Sequence, residues 1–279
     1  MKVIIVGGVA GGATAAARLR RLDETAEIVV FERSGYVSYA NCGLPYYIGG
    51  VITDKEELTL QTPESFWRRF RVDMRVRHEV TAIHPAEKTV DVRNLATGET
   101  FTESYDKLVL SPGAEPLRPG IKGIDSKKIF TLRNVPDTDT IKKYIDREHP
   151  RHAVVVGGGF IGLEMAENLH DQGLDIAIVE MANQVMAPLD YSMAAIVHQQ
   201  LIEKKVDLRL EDGVLRFEET DGGIIVHLKS GKQIPTDLVI LSIGVRPETK
   251  LAKEAGLTIG TLGGIAVNDY MQTSDPDIY

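Results

Sequence analysis

Lys2-Val3-Ile4-Ile5-Val6-Gly7-Gly8-Val9-Ala10-Gly11-Gly12, residues 2–12, decides the fold. Lys2 to Val6 is a short apolar run and reads as a buried parallel strand. The glycines then turn the chain into a helix predicted from about Gly11 to Leu22. Gly7 permits a tight turn, Gly12 lets the helix approach the strand, and the helix N-terminus can face a pyrophosphate. Val9 stands where a second glycine is usual, so the backbone is less open there. A second strand, Glu27 to Phe31, ends at Glu32, twenty residues after Gly12. A carboxylate at that point can accept hydrogen bonds from a ribose diol. Strand, glycine turn, helix and acidic terminus in one register read as a dinucleotide-binding unit.

The pattern recurs. Arg151 to Val156 leads into Gly157-Gly158-Gly159-Phe160-Ile161-Gly162, with Gly157, Gly159 and Gly162 at the three fingerprint positions. A helix to about Gln172 and a strand, Asp175 to Val179, follow and end at Glu180. An acid there favours a free 2′-hydroxyl, hence NADH over NADPH, and Met181 and Ala182 follow it rather than an arginine. A meander follows each fingerprint. One spans Glu79 to Leu110 with a turn at Thr97-Gly98; the other spans Val214 to Val245 with a turn at Gly231. Each ends in an apolar strand closing near Gly113 or Gly244, with Pro116 or Pro247 just beyond. Two copies imply two dinucleotides in similar frames, which suits a relay between nicotinamide and flavin. The stretch from Thr273 to Tyr279 reads as the start of another strand.

Cys42 is the only cysteine and sits in Ser38-Tyr39-Ala40-Asn41-Cys42-Gly43-Leu44-Pro45-Tyr46-Tyr47. A lone thiol cannot close an intrachain disulfide, so a redox role must use a mixed disulfide, a sulfenic acid or a persulfide. A buried, inert cysteine is the alternative, and the flanking nucleotide sites weigh against it. Pro45 to Gly50 reads as turn. Thr62-Pro63-Glu64-Ser65 reads as a helix start, with the helix running to about Phe70. Between Phe66 and His78, Arg68, Arg69, Arg71, Arg75 and Arg77 stand against a single Asp73. Such a run is either a solvated face or a seat for a phosphate-rich ligand. Arg18 and Arg21 share one face of the first helix.

Composition sets outer bounds. The 279 residues suggest about two domains. The formal net charge of −8 gives no global basic field for nucleic acid. One cysteine excludes a disulfide scaffold and fits a reducing cytoplasmic compartment. Glycines interrupt the N-terminal apolar run, and Arg18, Arg20 and Arg21 follow at once, so it reads as strand, turn and helix rather than as a signal peptide. No other apolar run approaches the ~20 residues that span a membrane.

The double fingerprint, Gly244-Val245-Arg246-Pro247 and Thr273-Ser274-Asp275-Pro276 resemble the FAD- and NAD(P)H-dependent pyridine nucleotide–disulfide oxidoreductases. Gly7 to Ala13 together with Asn41-Cys42-Gly43-Leu44-Pro45-Tyr46 is similar to their single-cysteine branch. That branch holds the coenzyme A-disulfide reductases and the NADH-dependent CoA-persulfide or polysulfide reductases, some with a C-terminal rhodanese domain. It also shows Val at position 9. The resemblance implies an α/β fold of two Rossmann-like domains, each with a small antiparallel β-meander. An FAD-binding domain would span 1–113, an NADH-binding domain 114–243, and 244–279 would return to the first. A Gly-Asp motif and a dimerisation domain would lie beyond Tyr279, giving a homodimer.

The resemblance also implies functional residues. Cys42 would be catalytic. FAD would contact Gly7, Val9, Ala10, Gly11, Gly12, Glu32, Arg33, Asn41, Val80, Ser111, Pro112, Gly113 and Gly244. NADH would contact Gly157, Gly159, Phe160, Ile161, Gly162, Glu164 and Glu180, with Phe160 as an aromatic gate and Glu164 holding the nicotinamide amide. Coenzyme A would lie along Arg18, Arg21, Ser38, Asn41 and Arg71, and no metal is implied. Electrons would pass from NADH by way of FAD to Cys42 and reduce CoA disulfide, CoA persulfide or polysulfide. One alternative is an NADH oxidase or peroxidase cycling Cys42 through a sulfenic acid, although Ala10 stands where those enzymes usually carry a histidine. A non-catalytic redox sensor is another, and the duplicated frame argues against it.

Overall fold

A computed structural model describes residues 1–279. The chain groups into two compact units. The first comprises Met1–Ala40, Glu56–Glu115 and Arg246–Tyr279; the second comprises Asn41–Lys55 and Pro116–Val245.

In the first unit, β1 (Lys2–Val6) runs into α1 (Ala10–Leu22), which starts one residue before the sequence expectation, and then into β2 (Glu27–Glu32). The chain next passes through the second unit, where it forms the short helix α2 (Leu44–Ile48), a helix in place of the expected turn. It returns with α3 (Pro63–Phe70). Thr62 and Ser65 exchange side-chain-to-backbone bonds of 2.9 and 3.2 Å as a capping box, and Pro63 opens the first turn. Then come β3 (Asp73–Val76), the meander β4 (His78–His84), β5 (Thr89–Asn94) and β6 (Thr100–Ser104), β7 (Lys107–Leu110) and β8 (Ala114–Pro116). β6 carries only a weak sequence signal because its residues alternate between exposed and half-buried.

The parallel sheet has the order β3-β2-β1-β7. On β1, Val3 and Ile5 face Ala13, Ala16 and Phe66, while Ile4 and Val6 face Val80, Val90 and Val92 of the meander. Burial on both faces is why this strand is apolar without alternation.

In the second unit, β9 (Ile129–Phe130) precedes α4 (Val135–Glu148), β10 (His152–Val156), α5 (Phe160–Asp171), β11 (Asp175–Val179), α6 (Tyr191–Glu203) and β12 (Asp207–Arg209). The meander β13 (Val214–Thr220), β14 (Gly223–Leu228) and β15 (Gln233–Thr236) leads to β16 (Leu238–Leu241). The parallel order is β12-β11-β10-β16-β9. Val154 and Val156 pack against Phe217, Ile224 and Val226, the same arrangement of strand on meander as in the first unit. α4 and α6 carry no signature in the sequence comparable to the glycine loops that open α1 and α5. The Asn41–Lys55 segment belongs here because α2 packs on α4 and α5. The compact units group Asn41–Lys55 with Pro116–Val245, whereas the domains implied by the resemblance are 1–113, 114–243 and 244–279.

Where the chain leaves and re-enters the first unit, β8 pairs with β17 (Val245–Pro247), and α7 (Lys250–Glu254) follows. The expected final strand is realised as a single parallel bridge, Leu108 to Ile278. Its ladder is nonetheless regular: Leu108 N donates to Asp277 O (2.9 Å), Tyr279 N to Leu108 O (2.8 Å) and Leu110 N to Tyr279 O (2.7 Å). Asp277 pairs with Lys107 (2.6 Å) and Lys88. Hydrogen bonds from Lys107 and Lys88 hold its carboxyl below the ordinary value of 3.8. A depressed carboxyl stabilises above its unfolded value, and that contribution disappears as pH falls through the folded one. Asp277→Asn is therefore expected to lower the melting temperature at pH 7 and to converge with the parent below pH 3.8. Scanning calorimetry across that range checks it.

No helix is long and apolar enough to cross a membrane.

Candidate dinucleotide and thiol sites

Each unit builds the same cradle from its glycine loop. Gly7 has φ +97° and donates from N to Phe31 O (2.9 Å); Gly157 has φ +104° and donates to Val179 O (2.9 Å). An L-residue rarely adopts this φ. A Cβ on Gly7 would lie 2.1 Å from Ser111 O, and one on Gly157 would lie 2.4 Å from Ser242 O. A Cβ on Gly12 would lie 1.8 Å from Gly7 O, and one on Gly162 would lie 2.0 Å from Gly157 O. These approaches seat each helix directly on its loop.

The acidic residues close the cradles identically. Glu32 accepts from Gly8 N (2.8 Å) and Ser34 N (2.7 Å); Glu180 accepts from Gly158 N (2.7 Å) and Ala182 N (2.8 Å). Each carboxylate is fixed beside its loop, with lone pairs left for diol hydroxyls. The loop after each acid is tied back as well, Ser38 N to Gly8 O (3.0 Å) and Met186 N to Gly158 O (2.8 Å). The sequence reading missed Gly8, Gly158 and Ser242. Alignment of the two internal copies would have found them.

The rim of each cradle is accessible. Ala10 and Gly11 are exposed at the start of α1, as are Gly159, Phe160 and Ile161 at the start of α5, where Phe160 is 64% exposed. Neither first turn carries an acidic side chain, so the unpaired amides there suit an anionic group. Val9 is the N-cap of α1 and caps nothing with its side chain. A Cβ on Gly159 would meet nothing within 4 Å, which leaves its face clear for a ligand. This donor set, present once in each unit, fits two pyrophosphate-containing nucleotides.

Other residues in the expected set occupy supporting places. Val80 is buried in β4 against Val92, so it has only its main chain to offer a ligand. Ser111 receives the Gly7 approach and donates from N to Val6 O (2.8 Å). Pro112 and Gly113 follow it, and Gly113 O accepts from Glu248 N (3.0 Å). Gly244, with φ +114°, accepts from Leu117 N (2.9 Å). Arg33 is exposed beside Glu115 (4.0 Å), which also meets Arg246 (3.5 Å).

Cys42 is exposed, in a 3-10 turn over Asn41–Gly43 that leads into α2. Its exposure differs from the burial weighed as the alternative. The helix it precedes is fixed to the nucleotide helix of the same unit. Gln172 Nε2 donates to Gly49 O, and a Cβ on Gly49 would lie 2.2 Å from Asn168 Oδ1. Buried Asn168 donates in turn to Glu164 O (2.8 Å). Burial, with the charge of Glu167, pushes the Glu164 carboxyl up. The charge of Glu164, with burial, Glu167 and Cys42, pushes the Tyr46 hydroxyl up.

The arginine run divides. Arg75 bonds Asp73 (2.7 Å) and Glu103 (3.1 Å) and covers the Phe31 ring at 5.5 Å, a structural post within the first unit. Arg77 is exposed, and its backbone N donates to Ser34 O (2.8 Å). Arg18, Arg21, Arg68, Arg69 and Arg71 are all exposed. Arg21 and Arg69 approach the Phe70 ring at 6.0 and 5.1 Å, and Arg71 covers Trp67 at 5.6 Å. Ser38 holds a left-handed φ of +46° beside Gly8, and Asn41 is exposed next to Cys42. The structure thus gathers Arg21, Arg69 and Arg71 on two aromatic rings.

Comparison with known proteins agrees with this geometry. The coenzyme A disulfide reductase of Staphylococcus haemolyticus is 38% identical over 278 residues, covering all of this chain and 62% of that protein. The reduced CoADR-RHD of Bacillus anthracis superposes with a TM-score of 0.97 at 57% identity, over all of this chain and 50% of that one. An NAD-dependent persulfide reductase from A. fulgidus gives a TM-score of 0.95 at 36% identity, over all of this chain and 52% of that one. The chain thus spans less than two thirds of the length of each. A family model described as pyridine nucleotide-disulphide oxidoreductase matches residues 1–279, and the chain belongs to that family.

Proposed function

We propose that the protein takes electrons from NADH and, with FAD and Cys42, reduces CoA disulfide, CoA persulfide or polysulfide. The observation that carries this reading is one exposed thiol in a chain with two copies of a glycine cradle, each with its own carboxylate. The reductase names of its relatives support the same reading. FAD would be held by the Gly7–Gly12 loop, Glu32 and the residues around Ser111. NADH would be held by the Gly157–Gly162 loop and Glu180, whose fixed negative charge disfavours a 2′-phosphate. When bound, the flavin supplies a two-electron relay between a nicotinamide and a sulfur. Glu164 would accept the nicotinamide amide, and Phe160 would cover the ring site until the nucleotide arrives.

The chain's own chemistry is thiol exchange. The Cys42 thiolate attacks one sulfur of CoA disulfide, forms a Cys42–S–S–CoA bond and expels one CoA thiolate. Two electrons and a proton then cleave that bond, releasing a second CoA thiol and restoring the thiolate. Arg18, Arg21 and Arg71, with Ser38 and Asn41, would bind the CoA moiety, arginine being suited to its phosphates. The working form would be a cytoplasmic homodimer.

NADH consumption by the flavin-loaded enzyme tests this. Turnover with CoA disulfide or CoA persulfide is expected to exceed that with dioxygen or hydrogen peroxide by about tenfold or more, the margin of a dedicated site. Faster turnover with peroxide would replace the proposal with a peroxidase.

A further inference from the structure

Arg20 stands between Arg18 and Arg21 in sequence and has a different task. It is half-buried, and its guanidinium donates to four carbonyls. Nε bonds Phe70 O (2.8 Å), Nη2 bonds Arg71 O (3.0 Å), and Nη1 bonds Asp23 O (3.1 Å) and Glu24 O (2.8 Å). Asp23 and Glu24 follow the C-terminus of α1; Phe70 and Arg71 end α3. Carbonyls at helix ends lack partners within the helix. A planar fork serves both ends at once, and a lysine ammonium cannot match that geometry.

The tie bears directly on Arg71. This residue caps α3 at φ +51°, where residues other than glycine are uncommon. Its carbonyl is held by Arg20 while its side chain lies over Trp67. On the other side of the tie, Arg21 of α1 reaches the Phe70 ring that Arg69 of α3 also covers. These like charges repel, and the Arg20 tie holds the two helix ends together against that repulsion. We infer that Arg20 is the positioning residue of this patch. It sets the cations of α3 against those of α1, and so sets affinity for the phosphates of coenzyme A without touching the ligand. The inference rests on the CoA reading given above.

The test uses the intact, flavin-loaded enzyme. Trp67 is the only tryptophan and lies inside the patch, so its emission reports CoA binding. Arg20→Ala should raise the KM for CoA disulfide and the Kd for CoA by about tenfold, with kcat and NADH-dependent flavin reduction unchanged. Arg20→Lys should fall between the parent and Arg20→Ala, and it carries the same test if the alanine variant does not fold. Adding Arg20→Ala to Arg71→Ala should cost less than about twofold more, because the two act as one unit. Unchanged KM and Kd in Arg20→Ala, or full additivity with Arg71→Ala, overturns the inference and leaves the CoA reading intact. If Arg18→Ala and Arg71→Ala themselves leave KM unchanged, the CoA reading falls and takes this inference with it.

Discussion

Cys42→Ser is expected to lower turnover with CoA disulfide by about 10³-fold or more while leaving NADH-dependent bleaching of the flavin at the parental rate. No other cysteine lies within residues 1–279. A serine hydroxyl is the same shape but cannot form or release an S–S bond, so the exchange step has no substitute. On the proposed reading the half-reaction with NADH relies on the Gly157–Gly162 loop and Glu180, which the change leaves alone. Stopped-flow absorbance at the flavin band and steady-state NADH consumption separate the two halves. A variant that still turns over CoA disulfide at full rate would remove Cys42 from the mechanism.

The second large effect concerns the first glycine of each loop. Gly7→Ala should yield protein purified without flavin, whereas Gly157→Ala should keep its flavin and lose reduction by NADH by about 100-fold or more. In each case two costs add. A left-handed φ costs an L-residue about 1–2 kcal/mol. The new Cβ would also press within 2.1 or 2.4 Å of the Ser111 or Ser242 carbonyl, so the loop must move. Gly231→Ala separates these terms, since Gly231 has φ +87° and a Cβ there would meet nothing within 4 Å. That control should lose only the conformational share and keep both cofactors. The ratio of flavin to protein absorbance and the Kd for NADH are the measurements. Gly7→Ala with a full complement of flavin would mean that the first loop is not the flavin's seat.

Much of this was legible in the sequence because glycine and acid spacing report backbone geometry directly. The loops at Gly7 and Gly157, the strands behind them and the clasping Glu32 and Glu180 all fall where local pattern places them. The capping box at Thr62 and Ser65 is local too. What escaped depends on distant partners. Leu44–Ile48 reads as turn because Gly43, Pro45, Gly49 and Gly50 crowd it, yet packing on α4 and α5 makes it a helix. Arg20 and Arg75 look like their solvated neighbours in sequence. Only the carbonyls around one and the carboxylates around the other reveal them as internal ties. Ser242 is silent until the two halves are laid over each other.

The way Asn41–Lys55 is grouped has a practical consequence. Cutting out the nucleotide half as one continuous piece, from Pro116 to Val245, would omit α2 and strip the side of α5 that carries Asn168 and Gln172. A buried amide would then face water, along with the apolar residues packed around it. Such a piece should aggregate unless the missing strip is grafted back through a linker. A graft that restores solubility would bring exposed Cys42 with it, so the shorter piece would carry its own thiol handle for labelling.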